Sequence, residues 1–234
     1  MKLGLFTDPH YALADRLVNT RRPQLSLDKL KEALAVFQKE QVDAVVCLGD
    51  WISIWDTREV MAQRLREFVQ PLHKTGLPVY TCMGNHDAEA FSREEFAALT
   101  GFTLAPCILE DAESRVILLD ANYLRDGFSW PPHFEDWTQT ALPQEELLWL
   151  KEQLQTPKRC LVALHQNLDP GISPEHVLEN AADVRRVIAE AGNVRLVLQG
   201  HYHFGHEAVL DGIPYHTLTA MCEGEENAFR VYTL

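Results

Sequence analysis

Five short apolar runs, residues 3–6, 44–48, 79–83, 161–164 and 196–198, are each followed almost at once by Asp, His or Asn. Runs this short, apolar throughout and partly β-branched are the pattern of parallel strands covered on both faces. Polar residues just past the ends of such strands gather at the carboxyl edge of the sheet, where α/β folds bind their ligands. Asp8, His10, Asp50, Asn85, His165, His201 and His203 are therefore expected to converge in space.

The stretches between these runs read as helices. Residues 25–40 carry Leu27, Leu30, Leu34 and Phe37 on one face and open on Ser26-Leu27-Asp28, and residues 58–73 repeat the pattern with Val60, Leu65, Phe68 and Leu72. Residues 114–120 and 159–165 are further buried strands, separated by an amphipathic helix over 143–154 that starts at Pro143 and buries Leu147, Leu150 and Leu154. A helix over 181–191 and a strand over 194–199 follow, then a hairpin (207–210, turning at Asp211-Gly212 into 213–221) and a last strand over 229–234. There is no internal repeat, and 234 residues fit one domain, 1–234, better than two. Residues 122–142, with Phe128, Trp130-Pro131-Pro132, Phe134 and Trp137, form a long irregular segment too aromatic for a linker.

The composition narrows the function. A formal charge of −13 argues against a general nucleic-acid surface, whose affinity rests on Lys and Arg against phosphates. No apolar stretch is long enough to span a bilayer and the start leaves no room for a cleaved leader, so a cytoplasmic protein without membrane association is expected. The five cysteines, Cys47, Cys82, Cys107, Cys160 and Cys222, show no C-x-x-C spacing and read as free thiols. No phosphate loop, dinucleotide fingerprint, H-E-x-x-H or G-x-S-x-G is present, which disfavours kinase, dehydrogenase, zincin and serine-hydrolase chemistry.

What remains is metal chemistry. Gly49-Asp50, Gly84-Asn85-His86-Asp87, His165 and Gly200-His201-Tyr202-His203 each follow a strand, and the last offers two imidazoles two residues apart. Mixed oxygen and nitrogen donors without Cys suit Mn²⁺ or Fe, with Zn²⁺ a further option, and seven donors exceed one tetrahedral ion. Two divalent ions are implied. Such a pair, roughly 3.5–4 Å apart, activates water and clamps the oxygens of an in-line phosphoryl displacement. A small phosphate-containing substrate, a nucleotide first, is the expected partner. The other histidines, His73, His133, His176, His206 and His216, read as structural or solvated.

Taken together, Asp8-Pro9-His10, Gly49-Asp50, Gly84-Asn85-His86-Asp87, His165 and Gly200-His201-Tyr202-His203 resemble the five signature blocks of the calcineurin-like metallophosphoesterases, in order, over about 200 residues. The resemblance implies a four-layer α/β/β/α sandwich with two metals at the carboxyl ends of its strands. It assigns Asp8, His10 and His203 to one metal, Asn85, His165 and His201 to the other, and Asp50 as the bridge. It also implies that His86 contacts the phosphate and assists the leaving group, with Asp87 orienting it.

Further blocks, Tyr11-Ala12 with Asp15, Arg21-Arg22, residues 144–150 and 215–224, are similar to the manganese-dependent ADP-ribose/CDP-alcohol diphosphatases. The implied activity is hydrolysis of a phosphodiester or pyrophosphate bond in a nucleotide-type substrate. Cyclic-nucleotide phosphodiesterase is the nearest alternative, and a non-enzymatic scaffold a more distant one. Ser53 departs from the family pattern, standing where a carboxylate is common. Tyr11, Trp130, Trp137 and Tyr202 are the expected substrate contacts.

Overall fold

A computed structural model describes residues 1–13, 20–130, 134 and 136–234. In chain order the elements are β1 (Lys2–Phe6), α1 (Ser26–Lys39), β2 (Ala44–Cys47), α2 (Arg58–Thr75), β3 (Val79–Thr81), α3 (Asn85–Ala90), α4 (Arg93–Thr100), β4 (Thr103–Leu104), β5 (Cys107–Glu110) and β6 (Ser114–Leu118). There follow α5 (Gln144–Gln153), β7 (Arg159–Ala163), α6 (Ala181–Ala191), β8 (Val194–Gln199), β9 (His206–Leu210), β10 (Ile213–Thr217) and β11 (Arg230–Thr233).

They form two sheets, ordered β11-β1-β2-β3-β4 and β5-β6-β7-β8-β10-β9. Within each sheet the inner pairs are parallel, and the antiparallel strands β11, β5 and β9 lie at edges. Strand alternation sorts the side chains into three apolar layers. Leu3, Leu5, Ala44 and Val46 meet Val116, Leu118, Leu161, Ala163, Leu196 and Leu198 between the sheets. Val45 and Cys47, on the opposite face of β2, pack under Leu30, Phe37, Leu65 and Phe68 of α1 and α2. Val162 and Val197 pack under Leu150, Val184 and Ile188 of α5 and α6. The architecture is the expected four-layer α/β/β/α sandwich.

Four elements go beyond the sequence reading. Helix α4 had a readable signature: Ser92 Oγ accepts from the Glu95 N–H, the Glu95 carboxylate accepts from the Ser92 N–H, and Gly101 closes the helix at φ 68°. The pair β4 and β5 is too short and too exposed to carry a periodic signal. Helix α3 begins at Asn85, within the polar block that follows β3, and carries no apolar period of its own. Among the described residues, no helix is long and apolar enough to cross a membrane.

Candidate metal centre

The carboxyl ends of β1, β2, β3, β7 and β8 meet where the two sheets touch. Gly200 N–H donates to the His165 carbonyl at 2.9 Å, while Met221 and Cys222 N–H donate to the Thr7 and Asp8 carbonyls at 2.9 and 3.1 Å. Four of the seven expected donors sit in left-handed backbone: Asp8 at φ 49°, His10 at 45°, Asp50 at 54° and His201 at 67°. That conformation costs a non-glycine residue about 1–2 kcal/mol, a strain typical of functional sites. Surrounding hydrogen bonds hold it, among them His10 N–H to Asp50 O at 2.9 Å and His201 N–H to Asp8 Oδ2 at 3.0 Å. Gly84 and Gly200 are required for lack of a side chain. A Cβ on Gly84 would overlap the Asp50 carboxylate, and one on Gly200 would meet Thr7 Oγ1 and Asp8 Oδ2.

The side chains fall into two donor sets sharing one atom. His10 Nε2 lies 3.1 Å from His203 Nε2 and 3.8 Å from Asp8 Oδ1, and His203 Nε2 lies 3.5 Å from the same Asp8 oxygen. His165 Nε2 lies 3.2 Å from Asn85 Oδ1, with the His201 ring 4.9 Å from the His165 ring. Asp50 Oδ2 stands between, 3.3 Å from His10 Nε2 and 3.5 Å from His165 Nε2. Its partner oxygen accepts from the His86 N–H, in the first turn of α3, at 2.9 Å. Donor atoms about 2.0–2.2 Å from a shared ion stand at separations of this order. Asp8 Oδ1 and His201 Nε2 are buried without a hydrogen-bond partner, as atoms reserved for coordination would be. The donor set therefore fits two ions.

Outer contacts orient the rings. His165 Nδ1 lies 2.7 Å from the Leu48 carbonyl and donates to it, which leaves Nε2 bare toward Asp50. His203 Nδ1 lies 2.9 Å from Glu223 Oε1, with the same effect on its Nε2.

The electrostatics match a site built for cations. Burial would raise the Asp8 carboxyl, yet the imidazoles of His10 and His203 hold it well below the ordinary range. Asp50 is likewise held down, against burial, by His165, His86 and His10. Burial would lower His165, but the Asp50 charge lifts it to about 9, and His203 is raised against burial by Asp8, Cys222 and Glu223. Burial lowers His10 to about 3 and carries His201 well below its usual value.

Several expected roles need correction. Asp87 does not orient His86: its two oxygens accept from the Trp51 and Gly84 N–H groups, each at 3.0 Å, so the carboxylate ties β2 to the start of α3. Burial lowers the His86 pKa despite the nearby Asp50 charge. Tyr11 is 2% exposed and packs on Phe68 in the core. Trp130 is 8% exposed, gives its indole N–H to the Gln139 carbonyl, and lines a separate cavity of about 680 Å³ with Arg93 and Tyr123.

Trp137 instead lies 5.3 Å from the His201 ring, and Tyr202 lies 5.4 Å from His176. His176, read as structural or solvated, lies 4.9 Å from the His201 ring, tilted by 56°. Among the other histidines, His73 bonds the Thr100 carbonyl and His206 pairs with Asp169. Ser53 Oγ donates to the His10 carbonyl at 2.8 Å, so it supports the His10 turn without a carboxylate. Asp15, Pro131, Pro132 and His133 lie outside the described residues.

The family model of calcineurin-like phosphoesterases matches residues 1–205. The chain belongs to that family. A cAMP/cGMP dual specificity phosphodiesterase of Mycobacterium tuberculosis is 31% identical over 208 residues, 83% of this chain and 60% of that protein. A 3',5'-cyclic adenosine monophosphate phosphodiesterase of Haemophilus influenzae is 30% identical over 214 residues, 87% of this chain and 70% of the relative. The chain thus spans about 60 to 70% of the length of these two relatives. The crystal structure of a dimetal phosphatase from Danio rerio superposes with a TM-score of 0.86 at 22% identity, over 100% of this chain and 92% of that one. At that identity the likeness is one of fold.

Proposed function

We propose that this chain hydrolyses a phosphodiester bond of a nucleotide, with a 3',5'-cyclic nucleotide as first substrate class and two divalent ions, Mn²⁺ or Fe ahead of Zn²⁺, as cofactors. The observation that carries this reading is the single buried oxygen Asp50 Oδ2, between His10 Nε2 at 3.3 Å and His165 Nε2 at 3.5 Å. Two ions, when bound, supply the Lewis acidity that activates water and draws charge from the phosphoryl oxygens. Asp8, His10 and His203 would hold one, Asn85, His165 and His201 the other, and Asp50 both.

His86 is assigned to the reacting groups. Its ring sits edge-on to His10 at 4.5 Å, and its Nδ1 is buried without a partner. Through its ring N–H it would bond the phosphoryl oxygens and the departing oxygen, stabilising the charge that develops there. Neither nearby hydroxyl nor thiol competes as a nucleophile, because Ser53 Oγ is bonded to a carbonyl and burial pushes the Cys222 thiol up. Water is therefore the attacking group, in one displacement.

The names of the two relatives support the cyclic nucleotide. A second reading, a nucleoside pyrophosphate of the ADP-ribose or CDP-alcohol type, is favoured by Arg21, whose Nε lies 4.0 Å from Glu223 beside His203, offering a cation for a second phosphate. A Mn²⁺-supplemented panel of cyclic AMP, ADP-ribose, CDP-choline, bis-nitrophenyl phosphate and nitrophenyl phosphate tests both. The proposal expects turnover of diesters above monoesters and cyclic AMP above the pyrophosphates. Preference for ADP-ribose would move the second reading to first, and no turnover of any diester would reject both.

A further inference from the structure

Two segments about 200 residues apart in sequence close on each other beside His203. The Arg22 N–H donates to the Cys222 carbonyl at 2.6 Å and the Gly224 N–H to the Thr20 carbonyl at 3.0 Å. The Thr20 hydroxyl donates to Glu223 Oε2, leaving Glu223 Oε1 for His203 Nδ1 at 2.9 Å. From below, Lys29 of α1, 4% exposed, donates to the carbonyls of Met221, Glu223 and Gly224 at 2.8, 2.9 and 2.9 Å.

A buried ammonium is costly unless every proton has an acceptor. Here all three do, and all three acceptors belong to the turn that presents Glu223. An apolar side chain at position 29 would fill the same space more cheaply, so the charge is explained by the turn it fixes. That turn also reaches the site directly, because the Met221 and Cys222 N–H groups bond the carbonyls of Thr7 and Asp8.

We infer that Lys29 and Glu223 are positioning residues for the ion position formed by Asp8, His10 and His203, an inference that rests on the two-ion reading above. Glu223 fixes the His203 ring with Nδ1 protonated and Nε2 aimed at Asp8 Oδ1 and His10 Nε2, and its charge makes that nitrogen a better donor. Lys29 holds the backbone from which Glu223 reaches. At the other ion position, His165 is oriented by a neutral partner, the Leu48 carbonyl. The two positions should therefore respond unequally to changes in the clamp.

The experiment is a Mn²⁺ titration of the full chain and of Glu223→Ala, Glu223→Gln and Lys29→Met, with folding checked by circular dichroism. Glu223→Ala should weaken one of the two ions by about 10- to 100-fold and leave the other unchanged. Glu223→Gln, which keeps an acceptor oxygen, should fall between it and wild type, and Lys29→Met should follow Glu223→Ala. In Zn²⁺-loaded protein, the ¹⁵N NMR signal of a protonated His203 Nδ1 should be present in wild type and altered in Glu223→Ala. Equal weakening of both ions, or no weakening of either, would overturn the inference. If Lys29→Met fails to fold, the two Glu223 variants decide. A wild-type protein that takes one ion refutes the two-ion reading; the clamp is then judged on that ion alone, standing if Glu223→Ala weakens it and falling if not.

Discussion

Glu146 offers a quantitative test of how the scaffold behind the site is held. It lies on α5, buried, and its Oε1 accepts from the Asp120 N–H at 2.7 Å. Asp120 pairs with Arg93 and accepts from Asn122, whose amide donates to the Met83 carbonyl at 2.9 Å and accepts from Gln166, the neighbour of His165, also at 2.9 Å. Burial, reinforced by the Asp120 charge, raises the Glu146 pKa from 4.5 to about 8. The folded state therefore keeps a proton that the unfolded chain releases above about pH 4.5, so stability falls as pH rises between those values and levels off beyond about 8. At 1.36 kcal/mol per unit, the full window amounts to at most about 5 kcal/mol. Glu146→Gln keeps an acceptor for Asp120 and cannot ionise. Urea unfolding of both proteins from pH 5 to 9 should show the variant gaining on wild type by at most about 1.4 kcal/mol per pH unit up to about pH 8, and no further above it. A difference that stays constant from pH 5 to 9 would refute the reasoning.

Other expectations follow from the site itself. His86→Ala should keep both ions while kcat falls about 10²- to 10⁴-fold on substrates with poor leaving groups and less on nitrophenyl esters, as measured by steady-state kinetics; loss of an ion would instead make His86 a ligand. Trp137→Ala should raise KM for nucleotide substrates more than for bis-nitrophenyl phosphate, whereas Trp130→Ala, removing a buried ring with a bonded indole, should chiefly lower Tm. Gly84→Ala should abolish binding of both ions, read by metal analysis, because the added methyl overlaps the shared Asp50 carboxylate. An active Gly84→Ala protein would mean that the turn relaxes more freely than the close packing allows.

The donors are legible in the sequence because each follows a short apolar strand that is recognisable locally. Asp8, Asp50, Asn85, His165 and His201 need only the chain around them to be placed at a carboxyl edge, and helix α6 and strand β8 appear with the bounds expected of them. Other features of the site depend on contacts between distant residues. Glu223 and Lys29 acquire meaning only when residues 20–29 and 221–224 meet, and His176 only when the turn after Leu168 brings it over His201. Asp87 is the opposite case: adjacency to His86 in sequence suggests contact, but on α3 the two side chains diverge and the carboxylate turns back to cap its own helix. Tyr11 lies so near the donors in sequence that only packing against Phe68 reveals it as core.

The central claim is that Asp50 joins two ion positions, and Mn²⁺ stoichiometry by equilibrium dialysis tests it most directly. Wild type should take two ions per chain, His10→Ala should retain one tightly bound, and Asp50→Ala should weaken both, because Asp50 stands within 3.5 Å of donors from each set. A stoichiometry that stays at one under excess Mn²⁺, or indistinguishable curves for His10→Ala and Asp50→Ala, would contradict the account.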